Sequence, residues 1–169
     1  MLIDLASVGT SSKQLELSFE SQKIDLEGEA LIEESVGLSA EIVRVGSRTR
    51  LSGTIKANVL VSCTRCLESI RREFDIAFQD IFVDASEEST REEAEVGTEE
   101  LDESLITSGE IDLTEVVREQ ILLELPKQIF CKEDCRGLCP KCGGNLNLID
   151  CNCIDDEIDP RWAALQNLK

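Results

Sequence analysis

The chain has 169 residues, enough for one domain or one domain with an appendage. Hydrophobic residues make up 41% of it and aromatics only 4%, so any core must be built from Leu, Ile and Val. With 35 acidic and 17 basic residues the net charge is −18, which excludes a uniformly basic nucleic-acid binder, and no segment nears the roughly 20 apolar residues of a membrane span.

From the N-terminus, MLIDLASVGTSSKQ has neither a basic leader nor an apolar run of secretory length, so the expected compartment is cytosolic, with reduced thiols. Residues 14–19, 26–33 and 38–45 read as strands, the last followed by a turn at Gly46. Leu51, Ile55, Ala57, Val59 and Val61 then share one parity, the period of a half-buried strand. Ile70, Phe74, Ile76 and Phe78 repeat the pattern, with Arg71, Glu73 and Asp75 on the opposite parity. The two runs make a hairpin with Cys63-Thr64-Arg65-Cys66 at its tip. Between Arg44 and Arg72 seven basic residues face Glu68 alone, whereas between Asp84 and Glu119 fourteen acids face Arg91 and Arg118. The basic stretch makes Arg48, Arg50, Arg65, Arg71 and Arg72 candidate RNA-binding residues, although a solvated strand surface explains the same cluster.

Residues 86–103 are acid-rich without apolar periodicity and are expected to form a linker or surface loop. A helix follows, capped by Asp112 with Glu115 placed for a capping box, and it should stop at Leu125 because Pro126 comes next. Its stripe of Leu113, Val116, Val117, Gln120, Ile121 and Glu124 suits a helix lying on the sheet. A last short helix is expected from Asp159-Pro160, carrying Trp162, Leu165 and Leu168. The expected class is therefore α+β: an antiparallel sheet of four to six strands, able to curl toward a barrel, covered by one main helix. The expected division places the sheet and helix in residues 1–130 and a Cys-rich zinc-binding appendage in 131–169.

Eight cysteines occur with no histidine. Cys63 and Cys66 form one pair, and Cys131, Cys135, Cys139, Cys142, Cys151 and Cys153 crowd into CKEDCRGLCPKCGGNLNLIDCNC. Cys139-Pro-Lys-Cys142-Gly-Gly has the form of a zinc knuckle, in which two thiolates grip one ion and glycine allows the turn a positive φ. Eight thiols fill two Cys₄ sites. The preferred partition is Cys139, Cys142, Cys151 and Cys153 on one Zn²⁺ and Cys63, Cys66, Cys131 and Cys135 on the other, while exchanges of Cys131 or Cys135 with the C-terminal group stay open. Iron–sulfur ligation is the competing metal chemistry. A redox dithiol fits less well, since neither CxxC precedes a helix. Without histidine no Ser/His or Cys/His dyad exists, no phosphate-binding glycine loop is present, and a Cys₄ zinc leaves no open coordination position. The chain is thus expected to bind or assemble rather than catalyse, with no membrane and no small-molecule substrate; a thiol-based redox or zinc-sensing regulator is the alternative.

VSCTRCLE after a hydrophobic strand, GEIDLTEVVREQILLELP, CKEDCRGLCPKCGGNLN, and a terminal CNC with DPRWAALQNL occur in an order that resembles the YceD-like large ribosomal RNA subunit accumulation proteins of bacteria and plastids. The likeness covers about residues 50–169, and the N-terminal third shares only its strand-rich character. Some members lack the C-terminal cysteines, whereas this chain has the full set. The resemblance implies a non-enzymatic role in the synthesis, processing or stability of large-subunit (23S) ribosomal RNA. It also implies a partner in that rRNA, a pre-ribosomal particle or a basic large-subunit ribosomal protein, in a bacterial cytoplasm or a plastid stroma.

Overall fold

The computed structural model describes residues 1–85 and 103–153. Among these residues lie, in chain order, the strands β1 (Leu2–Asp4), β2 (Lys13–Phe19), β3 (Ala30–Ile32), β4 (Val36–Val45), β5 (Arg48–Ser62), β6 (Ser69–Asp84), β7 (Glu103–Ile106) and β8 (Glu110–Asp112) and the helix α1 (Leu113–Glu124). The two-residue alternation read from the sequence produces the long β5–β6 hairpin, paired without interruption from Arg48↔Val83 to Ser62↔Ser69. Leu51, Ile55, Ala57, Val59 and Val61 are all buried, as their common parity requires.

The main sheet runs β2-β4-β5-β6-β7, with β3 paired to β5 beyond the end of β4. It is open: β2 and β7 are its edges, and the barrel closure entertained from the sequence is not adopted. Nor is the sheet wholly antiparallel. β7 pairs parallel to β6, from Ile81↔Glu103 to Asp84↔Ile106, and a parallel return needs a connection of about a dozen residues or more, which the intervening 85–102 supplies. Glu103, expected to end the acidic loop, instead opens a strand; residues 86–102 of that loop and the short helix expected from Asp159 lie outside the described residues. A separate two-stranded ribbon joins β1 to β8. Both partners have three residues, too few to show a period.

Helix α1 covers one face of the sheet. Asp112 Oδ1 accepts from Thr114 N at 2.9 Å as the N-cap, and Leu125 ends the helix before Pro126. Glu115 pairs with Arg118 at 2.7 Å rather than completing a capping box. Leu113, Val116, Val117 and Ile121 are buried, each worth about 1.5–3 kcal/mol of transfer free energy before entropy is counted. Gln120, in the same stripe, donates to the Asp80 carboxylate of β6 at 3.2 Å, while Glu124 at its end is exposed. Gly53 is required where β4 crosses closest to β5: a Cβ there would lie 2.3 Å from Ser39 O. The far end of the hairpin, away from the turn at Gly46, projects Cys63 and Cys66 toward the segment that leaves α1.

Candidate metal centres

The first centre forms where the hairpin tip meets the chain after α1. Thr64 N and Oγ1 both donate to Ile129 O, at 2.8 and 3.0 Å, which sets the incoming segment against the tip two residues before Cys131. Leu67 N donates to Cys63 O at 2.9 Å and Leu67 takes a φ of 61°, so the tip folds as a knuckle with a non-glycine residue in the left-handed position. Cys63, Cys66 and Cys135 are buried and Cys131 half-buried. Cys63 Sγ lies 3.8 Å from Cys135 Sγ, and Cys66 Sγ 3.6 Å from Cys131 Sγ.

The second centre repeats the geometry further along. Gly143 N donates to Cys139 O at 2.9 Å and Gly143 has a φ of 70°, matching Leu67 at the first knuckle. Cys151 and Cys153 return to this turn, and the four Sγ atoms of Cys139, Cys142, Cys151 and Cys153 lie within 4.8 Å of one another, as do those of Cys63, Cys66, Cys131 and Cys135. Here Cys142 and Cys153 are exposed. The centres are tied together by backbone and side chain. Leu138 N donates to Arg65 O at 3.0 Å and Leu146 N to Gly137 O at 2.9 Å, and Asn147 Nδ2 donates to Cys135 Sγ at 3.3 Å.

Both donor sets could hold a metal ion. A tetrahedral ion with sulfur bonds of about 2.3 Å places its ligands about 3.8 Å apart, the separation found at the first centre. Sulfurs so close leave room for a single ion and none for a multinuclear cluster. Burial pushes the Cys63 thiol up, but the backbone N–H groups of Cys66, Arg65 and Cys131 outweigh it and hold it down at about 6. Cys131, beside it, is pushed up to about 12 by burial and by its thiol neighbours. The second centre has the same split: backbone N–H groups of Cys142 and Lys141 bring Cys139 to about 6, and the bonds to Cys142 and Cys139 raise Cys153 to about 12. At the first centre Cys135 is lowered as well, burial being outweighed by the Asn147 side chain and the Gly137 N–H. Thiolates therefore form readily at Cys63 and Cys135 in the first cavity and at Cys139 in the second, and a full set of four thiolates requires a cation among them.

The five candidate arginines do not share a surface. Residues of even number on β5 and odd number on β6 face away from the core, so Arg48, Arg50 and Arg71 lie on the outer face and Arg72, opposite Val59, on the core side. Arg48 pairs with Glu103 at 2.6 Å, and Arg71 donates to Glu33 at 3.0 Å. Arg50 has no charged partner among the described residues. Arg65 works as a clamp, donating to Cys135 O at 3.0 Å and covering the Phe130 ring at 4.1 Å. Two contributors were not singled out from the sequence. Asn147 lies between Cys142 and Cys151 without a spacing signature, and Leu67 occupies the position where a knuckle ordinarily carries glycine.

The family model for "Large ribosomal RNA subunit accumulation protein YceD" matches residues 51–169. The chain belongs to the YceD family. Among relatives, an uncharacterized protein of Mycobacterium tuberculosis is 33% identical over 130 residues, covering 76% of this chain and 59% of its own length. The uncharacterized protein YlbN of Bacillus subtilis is 31% identical over 116 residues, covering 68% and 63%. The chloroplastic large ribosomal RNA subunit accumulation protein YCED homolog 1 of Arabidopsis thaliana is 27% identical over 155 residues, covering 79% and 48%. The chain thus spans from about half to under two thirds of the length of these YceD relatives. No solved structure matches it. No helix among the described residues is long and apolar enough to cross a membrane.

Proposed function

We propose that this YceD-family chain is a non-enzymatic ribosome-biogenesis factor that supports accumulation of large-subunit (23S) ribosomal RNA by binding that RNA or a basic large-subunit ribosomal protein. The observation that carries the reading is the family match over residues 51–169, a stretch that contains all eight cysteines and most of the hairpin. The chloroplastic rRNA accumulation protein of Arabidopsis among its relatives supports it. In this reading residues 1–130 form the sheet-and-helix body and 131–169 the appendage. Two Zn²⁺ ions hold the appendage in place, one on Cys63, Cys66, Cys131 and Cys135 and one on Cys139, Cys142, Cys151 and Cys153. Four thiolates and no histidine suit a structural zinc, which would supply cross-links and no chemistry of its own. The outer-face cations Arg48, Arg50 and Arg71, with Arg72 and Arg65 at the tip, offer RNA its phosphate contacts, and the acid-rich stretch repels nonspecific RNA or receives a basic protein. The site of action is the bacterial cytoplasm or a plastid stroma.

Depleting the chain from its own cells tests this directly. The ratio of large- to small-subunit rRNA should fall, and a tagged chain should sediment with large-subunit precursors; an unchanged ratio with no precursor association contradicts the reading. Exposure of Cys142 and Cys153 favours one second reading, a thiol sensor whose second centre is oxidised to disulfides and releases its ion. Retention of both ions in peroxide at cellular concentrations removes it.

A further inference from the structure

A groove of about 400 Å³ opens beside the first metal centre, lined by Arg72 and Phe74 of β6 and by Pro126, Ile129, Phe130 and Lys132 of the segment leaving α1. That volume is within the roughly 300–1,000 Å³ of small-ligand sites. The chain has five phenylalanines; Phe19, Phe78 and Phe82 are buried in the core, and the two that keep partial exposure, Phe74 and Phe130, both line this groove. Phe130 packs on neither the sheet core nor the cysteine cluster, and its ring is held by the Arg65 guanidinium. Cations stand at the walls. Arg72 is exposed and has no charged partner among the described residues, and the half-exposed Lys132 reaches Asp134 only at 4.0 Å.

Rings interleaved with cations are what an unpaired nucleotide needs, because a base stacks on the ring while its phosphate meets the cation. A duplex keeps its bases stacked inside and has none to offer. Glu133, also at the groove, disfavours phosphate on its own wall and leaves Arg72 and Lys132 as the anion side. We propose that this groove binds one unpaired nucleotide of RNA, its base against Phe130 and Phe74 and its phosphate against Arg72 and Lys132. The inference rests on the RNA-directed reading above and deepens it by naming the contact and the form of RNA.

The test measures binding of a labelled single-stranded RNA of about 12 nucleotides, and of the same sequence as a duplex, by fluorescence anisotropy. The single strand should bind more tightly than the duplex. Arg72→Ala and Phe130→Leu should each weaken it about tenfold while the metal content, a check on the fold, stays at the wild-type value. Arg72→Ala should also flatten the salt dependence by about one counterion. Unchanged affinity in both variants, equal binding of the duplex, or no binding by the wild-type chain overturns the proposal. A photo-cross-linking residue replacing the exposed Gln128 gives an independent readout in large-subunit precursors: a cross-link to RNA supports the groove, and one to protein overturns it. If the wild-type chain sediments with precursors while the groove variants bind single strands normally, the groove alone is wrong. Absence of precursor association sinks the broader reading instead.

Discussion

The two knuckles differ at one residue, and that difference has a measurable cost. Gly143 enters the left-handed region freely, whereas Leu67 does so at φ 61° with a largely exposed side chain. A branched residue is held there at about 1–2 kcal/mol, so Leu67→Asn should raise stability by about 0.5–1 kcal/mol, seen as a rise of roughly 1–4 °C in Tm. Gly137 shows the converse. Its φ is 75° and a Cβ would sit 3.1 Å from Arg65 O, so Gly137→Ala should lower stability by about 1–2 kcal/mol in the same melt. Asn147 donates to Cys135 Sγ and thereby orients a ligand; Asn147→Ala should weaken zinc at the first centre about tenfold in a chelator competition and leave the second unchanged. The cysteines were legible in sequence because thiol pairs have a spacing. Asn147 was not, since a ligand's hydrogen-bond donor is recruited by the fold and leaves no regular interval.

Among the elements, those with a period are legible in the sequence; the strand expected over 26–33 shortens to β3 at Ala30–Ile32, and β1, β7 and β8 leave no signal there. The β5–β6 hairpin and α1 follow from alternation at two residues and from a helical stripe with its cap at Asp112. β1, β7 and β8 have three or four residues each, and what makes them strands is an available edge, which is a property of the assembled sheet. The openness of the sheet was equally hidden, because strand count alone permits closure. Two predictions belong here. Gly53→Ala should cost about 1–3 kcal/mol in chemical denaturation, since β4 backbone occupies the Cβ position. Asp80, packed under α1, has its carboxyl raised by burial against the bond donated by Gln120. A folded-state value above the unfolded one means that the ionised group lowers stability at neutral pH, and that this penalty disappears as pH falls through the folded and then the unfolded value. Asp80→Asn should therefore stabilise the protein at pH 7, with the gap to wild type closing near about pH 4.

For the whole molecule, the ligand sets determine what is joined to what. The first centre connects Cys63 to Cys131 across the entire β6-to-α1 portion of the chain, whereas the second closes the short loop from Cys139 to Cys153. Structural zinc in such sites contributes on the order of 10 kcal/mol, comparable with the net stability of a small domain. Loss of the first centre should detach the cysteine segment from the hairpin tip and take apart the groove between Phe74 and Phe130, while loss of the second should loosen only its own turn. In the proposed RNA-directed reading, this linkage holds the tip that carries Arg65 in one arrangement with the segment that returns from α1.

The most direct test is elemental analysis of the chain purified without added metal, as wild type, as Cys63→Ser/Cys66→Ser and as Cys142→Ser/Cys153→Ser. Two independent mononuclear centres predict about two zinc ions per wild-type chain and about one in each double variant. A wild-type ratio near one that Cys63→Ser/Cys66→Ser leaves unchanged, or iron with sulfide in place of zinc, would contradict the account.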